Sequence, residues 1–303
     1  MQSQEATLSN LRTKGIILVL MAAIFWGISG TVAQFLFQQQ GFSAAWLVDI
    51  RLLCSGIILI LYSKFGMKQD IWSIWKNKKD VFELILFGVF GMLGVQYTYF
   101  VAIEYGNAAT ATVLQYIAPV LITCYLCIQS RKFPAKNEVL AVFLALVGTF
   151  LLVTNGNIQT LSISKEAFFW GIASAFALAF YTIQPAGLLS KWGSLNTVGW
   201  GMLIGGIGFS FIHPPWVFQG QWSLPSLLAV IFVVIFGTLI AFFCYLESTK
   251  YIRASETSLL ACAEPLSAAF LAVVWLHVPF GIGEWIGTFC IMLTIFLLAI
   301  VKK

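Results

Sequence analysis

Charge is what this sequence lacks most. Only 10% of its 303 residues are Asp, Glu, Lys or Arg, where a soluble domain carries about a quarter, and 60% are hydrophobic. With a mean hydropathy of +0.91, a bilayer is the solvent such a chain fits. Catalytic signatures are missing too. There is no phosphate-cradling glycine loop, no HExxH pair and no nucleophile elbow, so neither ATP-driven pumping nor intramembrane catalysis has residues to carry it, and the chain reads as a non-enzyme. Histidine is reduced to His213 and His277, each alone and without metal-ligand spacing. The cysteines, Cys54, Cys124, Cys127, Cys244, Cys262 and Cys290, fall inside predicted helices, as small packing residues rather than a disulfide framework or a metal site. No metal and no cofactor is expected.

What is present instead is a series of long apolar runs. A spanning helix takes about 20 mostly apolar residues, and ten such stretches are read near 15–36, 44–63, 81–103, 109–129, 137–154, 166–187, 196–212, 226–248, 255–276 and 282–301. Lys and Arg gather on the cytoplasmic side of membranes, which tests that count. With both termini inside, fifteen of the seventeen basic residues fall in cytoplasmic segments, leaving Lys165 outside and Arg51 within a helix. The net charge of +5 is then a matter of topology, and no nucleic-acid partner follows from it. Residues 1–14 form a short polar cytoplasmic tail, and the apolar run after it is too long for a cleavable signal, so the first span is retained.

The chain also repeats itself. Tyr99, Tyr105, Ala108, Leu114, Pro119 and Glu138 return as Tyr245, Tyr251, Ala254, Leu260, Pro265 and Glu284, all displaced by 146 positions, and Ile85, Phe90, Gly91 and Leu93 return as Ile231, Phe236, Gly237 and Leu239. Two five-helix repeats follow, over 15–155 and 166–301. An odd number of spans per copy inserts the second upside down, so the fold class expected is an all-α integral membrane protein of ten transmembrane helices in two inverted repeats. That architecture belongs to secondary transporters, whose substrate sits near the midplane between the halves.

Glu264 stands about ten residues into the ninth stretch, roughly 15 Å deep at the helical rise. A carboxylate there is expensive, so it faces an aqueous cavity, holds a proton or meets a cation; the plainer alternative is a protonated acid that bonds another helix for stability. Pro265 follows, and its missing N–H frees a carbonyl one turn back. Acid and carbonyl together suit an ammonium group or a transported proton. In the first copy the same place reads Gln115-Tyr116-Ile117-Ala118-Pro119, with Ala118 for Glu264 and Gln115 one turn before the proline. Pro119 and Pro265 are the expected hinges. Trp26, Gln96 with Tyr99, and Tyr181 with Gln184 are further candidate lining residues, since aromatic faces attract cations and amides serve either end of a zwitterion. Arg51 either snorkels outward or pairs across helices, for instance with Glu104. Glu247 is a proton acceptor at an inner gate or a partner for Lys250. Glycines at 88, 91, 94, 201 and 205 mark close helix approach.

Phe25-Trp26-Gly27, Arg51, the stretch GNAATATVLQYIAP at 106–119, its counterpart ASETSLLACAEP at 254–265 and the later Glu284 together resemble the EamA-type transporters of the drug/metabolite transporter superfamily. GNAATATVLQ, the Phe168-Phe169-Trp170-Gly171 segment and CAEPLS resemble in particular a bacterial inner-membrane subgroup for carboxylates, amino acids and amines. The resemblance implies a basket-like pocket lined by helices one, three, four, six, eight and nine, and frequent export. By position, that lining includes Trp26, Gln96, Tyr99, Gln115, Tyr181 and Glu264. With one intramembrane arginine and several acids, multiply anionic substrates are disfavoured. The expected function is a secondary transporter, in the exporting direction, of small zwitterionic or cationic metabolites such as amino acids or amines. It works by alternating access in the bacterial plasma membrane, with protons as candidate coupling ion. Glu264, Glu247 and Arg51 are its proton-coupling or gating residues. A membrane receptor that binds without moving its ligand, and a facilitative pore, are the rival readings.

Overall fold

The computed structural model describes residues 2–131, 136–156, 163–248, 251–252, 260–261 and 263–301. Lys132, Lys250, Arg253, Ala254, Cys262, Lys302 and Lys303 therefore lie outside the described residues. Among those described there is no β-strand, and the protein is an all-α membrane protein. Among the described residues six helical segments are long and apolar enough to cross a bilayer: Leu11–Gln40, Ala44–Gly66, Lys78–Tyr105, Ala108–Gln129, Lys165–Ile183 and Leu224–Tyr245. Val139–Leu152, Ala263–Val274 and Ile282–Thr294 are shorter apolar helices. Large apolar side chains point out of the bundle, among them Phe176, Phe211, Ile282 and Phe289, as expected where lipid replaces water as the surrounding medium.

In chain order the helices are α1 (Gln2–Gln40), α2 (Ala44–Leu61), α3 (Lys78–Leu86), α4 (Gly94–Tyr105), α5 (Ala108–Gln115), α6 (Ala118–Ser130), α7 (Lys136–Thr154), α8 (Lys165–Ile183), α9 (Ala186–Trp192), α10 (Ser194–Ser210), α11 (Leu224–Val234), α12 (Ala241–Ser248), α13 (Ala263–Val274) and α14 (Ile282–Val301). Short polar side chains start several of them by accepting the orphan N–H groups of the first turn. Ser43 accepts from the Trp46 N–H, Asn107 from that of Thr110, Ser164 from that of Ala167 and Ser223 from that of Ser226. Glu284, buried in the first turn of α14, accepts the Gly281 N–H, so this acid of the repeated signature caps a helix.

Two stretches read from sequence as single helices are broken. α5 stops at Gln115 and α6 resumes at Ala118, because Pro119 has no N–H to bond the carbonyl four residues back and the chain turns at Tyr116-Ile117. The stretch 166–187 likewise stops at Ile183, turns at Gln184-Pro185 and resumes as α9. Two others stay continuous but widen. α3 passes into α4 through a π turn at Phe87–Leu93, and α11 into α12 through another at Ile235–Ile240. These contain Phe90-Gly91 and Phe236-Gly237, the same pair in each copy. A π turn inserts a residue and misaligns the carbonyl ladder, a distortion concentrated at functional sites.

Helix pairing runs across the chain's two halves. α2 packs on α10 and α7 on α14, while α1 lies against α12 and α13 and α8 against α4 and α5. Exchanging the halves leaves that pattern unchanged. Small residues allow the close crossings, since lipid gives helices no hydrophobic reason to associate. A Cβ on Gly148 would fall 2.8 Å from the Gly287 carbonyl oxygen, and one on Gly287 would fall 2.6 Å from that of Gly148. Gly88 meets Gly201 and Gly205 in the same way, whereas the atoms nearest a Cβ on Gly91 belong to the Phe87 ring of its own helix and one on Gly94 would make only ordinary contact, at 3.9 Å, with Ala177 of α8.

The connections are held by specific contacts. Asp70, between α2 and α3, accepts from the Ser73 hydroxyl and the Trp72 N–H, which hold its carboxyl below the usual range. His213-Pro214-Pro215-Trp216 lies in the loop after α10, where the Trp46 indole N–H donates to the Pro215 carbonyl at 2.9 Å. Cys54, Cys124, Cys127, Cys244 and Cys290 are free thiols.

Candidate functional site

The site begins at the two prolines. Pro265 cannot bond the carbonyl of Ala261, and that carbonyl takes the Glu264 N–H at 3.0 Å and the Tyr116 hydroxyl at 2.9 Å instead. Tyr116 comes from the break between α5 and α6, so the interruption in one half reaches the interruption in the other. The same hydroxyl lies 2.9 Å from Glu264 Oε2. A phenol has one proton to give. That proton goes to the Ala261 carbonyl or to the Glu264 carboxylate; when it goes to Ala261, a proton on the acid closes the second contact. Glu264 occupies the first turn of α13, and Gln115, buried, ends α5 one residue before Tyr116.

Helix α1 supplies the opposing wall. A Cβ on Gly27 would fall 2.6 Å from the Glu264 carbonyl oxygen, and one on Gly30 2.6 Å from the Tyr99 hydroxyl. Gly27 lets α1 lie directly on the acid's backbone, and Gly30 leaves room for Tyr99. The Trp26 ring packs against Phe242 and Tyr245 of α12, both with centroids 5.3 Å away. Tyr99 bonds the Thr112 hydroxyl at 2.7 Å, and Thr112 donates to the Ala108 carbonyl, which joins α4 to α5.

Arg51 enters from α2 and is buried. Its Nε donates to Thr238 Oγ1 at 3.1 Å, one Nη lies 3.5 Å from the Gly237 carbonyl oxygen, and the guanidinium sits 4.6 Å from the Phe100 ring centroid. Arg51, Tyr99 and Glu264 are within electrostatic reach of one another. The arginine therefore turns inward to the π turn of the second half. It neither snorkels outward nor pairs with Glu104, whose carboxylate accepts the Ala44 N–H at the start of α2. Asp49, two residues before it, accepts from the Ser210 hydroxyl at 3.1 and 3.0 Å. Gln96 on α4 is buried with neither amide atom partnered among the described residues.

The remaining candidates divide. Tyr181 stacks on Phe87 with centroids 5.5 Å apart and lies within electrostatic reach of Tyr245, which keeps it beside the Trp26 wall. Gln184 does not join this group. Its Nε2 donates to the Glu83 carbonyl at 3.0 Å, and Glu83 precedes Gln96 by thirteen positions, about 20 Å along a helical axis. The turn at Pro185 directs Gln184 to that end of the bundle, where Lys191 pairs with Asp80 at 2.6 Å. Glu247 accepts from the Tyr251 hydroxyl at 3.0 Å, which in turn accepts from Lys14 at 3.0 Å; its suggested partner Lys250 is outside the described residues. Trp170, at the start of α8, packs against Tyr97 with centroids 5.7 Å apart. Tyr116 and Thr238 are the residues that sequence reasoning missed, and the signal for Tyr116 was its place in the two-residue gap before Ala118-Pro119. Among the described residues no group of His, Cys, Asp and Glu is arranged to hold a metal ion. A shallow apolar depression over Trp222, Ser223, Leu224 and Leu227 contains none of the site's residues.

An all-helical membrane protein with a polar cluster where broken and widened helices meet is built in the manner of a membrane transporter. The comparisons with known proteins agree. The EamA-like transporter family matches residues 13–154 and again 165–300, and the chain belongs to that family. It is 42% identical over 290 residues to the "Uncharacterized inner membrane transporter YicL" of Salmonella typhimurium strain LT2, covering 95% of each chain. It is 24% identical over 286 residues to the "Uncharacterized transporter YyaM" of Bacillus subtilis strain 168, covering 90% of this chain and 87% of that protein. A crystal structure shares the fold with a TM-score of 0.65 over 95% of this chain and 97% of its own, at 17% identity.

Proposed function

We propose that this protein is a secondary transporter that exports small zwitterionic or cationic metabolites, such as amino acids or amines, by alternating access. Its ten spans form two inverted five-helix repeats in the bacterial plasma membrane, with both termini cytoplasmic. The observation that carries the reading is the contact of Tyr116, from the first break, with both Glu264 and the carbonyl freed by Pro265. An ammonium group offers the N–H donors that Glu264 and Ala261 accept, so it competes with Tyr116 for both. Binding then dissolves the bond between the halves, and the prolines are where each half bends. A proton on Glu264 restores the Tyr116 contact, which links loading of the acid to closure and makes protons the coupling ion. The twofold match of the family to the chain supports the repeat, and the inner-membrane naming of the Salmonella relative supports the location.

The test is counterflow of radiolabelled amino acids and of amines in proteoliposomes with the imposed pH gradient varied. Saturable, ATP-independent flux that responds to the gradient is expected. Binding without flux would make the protein a receptor, and flux that does not saturate would make it a pore.

A further inference from the structure

Arg51 and Gln96 point to a second pole of the site, and the inference rests on the transporter reading above. Arg51 is 6% exposed. A guanidinium has five N–H donors, of which its described contacts, Thr238 and Gly237, take two. The described ion pairs are Lys79–Glu83 and Lys191–Asp80, so no described carboxylate neutralises it at pairing distance. Gln96 is 7% exposed, and neither its Oε1 nor its Nε2 has a partner among the described residues. It precedes Phe100 by four positions on α4, one turn along the same face. Phe100 carries the Arg51 guanidinium over its ring, so the helix sets Gln96 one turn from the aromatic side chain that holds the cation.

Two buried groups with unmet donors are costly unless something completes them. A carboxylate does, since it accepts two parallel N–H bonds from a guanidinium and has lone pairs left for an amide N–H. Holding the π turn in place explains Nε and one Nη of Arg51; it explains neither the other donors nor Gln96. Glu264 lies within electrostatic reach of Arg51 yet does not pair with it. Opposite charges held apart are the complement of a zwitterion. We propose that Arg51 and Gln96 form a carboxylate subsite, so that the transporter takes free amino acids, carboxylate on Arg51 and Gln96 and ammonium on Glu264 and the Ala261 carbonyl, in preference to amines that lack the acid group.

The experiment measures binding of the proteinogenic L-amino acids, each against its carboxamide, to detergent-purified full-length protein by thermal shift and equilibrium dialysis, alongside counterflow of both series. At least one amino acid is expected to raise the apparent melting temperature and to bind about tenfold or more tightly than its amide, the size of one charge-assisted contact. Gln96→Leu is expected to melt higher than the parent, since an unpartnered buried amide is removed, and to show a weakened preference for acid over amide. Arg51→Gln loses it altogether, and where that variant does not fold Gln96→Leu decides alone. Equal binding of acid and amide, an undiminished preference in Gln96→Leu, or no binding of any amino acid would each overturn the subsite. Saturable flux of amines alone would do so while leaving the transporter reading intact. Binding with the predicted preference but no flux would sink the transporter reading and keep the subsite.

Discussion

The breaks at Pro119 and Pro265 are alike in backbone and unlike in chemistry. Each releases a carbonyl one turn before its proline. Yet Ala118 is fully buried among Ala175 and Ala179 of α8, whereas Glu264, its counterpart, meets Tyr116. The comparison separates two requirements. Both halves need the break, because bending and carbonyl exposure are backbone properties. Only one needs the acid, since a second carboxylate in the packed position at 118 would be an unpaired charge in a dry environment.

Swapping the two side chains breaks the comparison most severely. The double variant Glu264→Ala with Ala118→Glu should give no counterflow and little folded protein by size-exclusion chromatography, because an acid at position 118 has no partner and costs several kcal/mol. Glu264→Gln keeps the shape and removes the charge. It should lower flux about 100-fold, corresponding to about 3 kcal/mol for a buried charged contact, and abolish the response to the pH gradient while leaving the melting curve nearly unchanged.

Tyr116→Phe cuts the link between the breaks without touching either proline. A hydrogen bond to an ionisable partner is worth about 2 kcal/mol, so flux coupling should weaken by about 30-fold, seen as transport that no longer depends on an imposed proton gradient. Gly27→Ala disturbs the Pro265 side alone. The added methyl would press on the Glu264 carbonyl, with an overpacking cost of about 1 kcal/mol, read as a lower melting temperature; Gly208→Ala, where no heavy atom lies within 4 Å of the added Cβ, should leave it unaltered. The smallest effect belongs to Lys191→Met. Its pairing with Asp80 lies at the end of the bundle near Glu83 and is half exposed on the lysine side, so counterflow should match the parent's.

Much of this was legible from residues alone. The apolar runs became helices, the glycines at 88, 201 and 205 became crossings, and the carbonyl exposed by Pro265 is engaged as its chemistry requires. The lining residues were harder. Helical periodicity selected Gln115 as the residue on the proline's face, but the turn at Tyr116-Ile117 interrupts that periodicity and delivers Tyr116 to Glu264 instead. Periodicity likewise paired Tyr181 with Gln184, and the Pro185 turn divides them. Glu104 was offered as a partner for Arg51 because both sit toward the outer ends of their spans. The π turn at Ile235–Ile240 presents Thr238 and the Gly237 carbonyl, which no regular helical wheel places there.

By itself the sequence determined the solvent, the helical class, the duplicated pattern and the positions where helices have to break, since each depends on local composition or on the missing N–H of proline. Tertiary structure alone decided which group meets Glu264, where Arg51 turns and which amide is left without a partner. Those outcomes depend on how far a turn or an extra π residue rotates one helix against its neighbour, and a rotation of that size has no signature in the order of the residues.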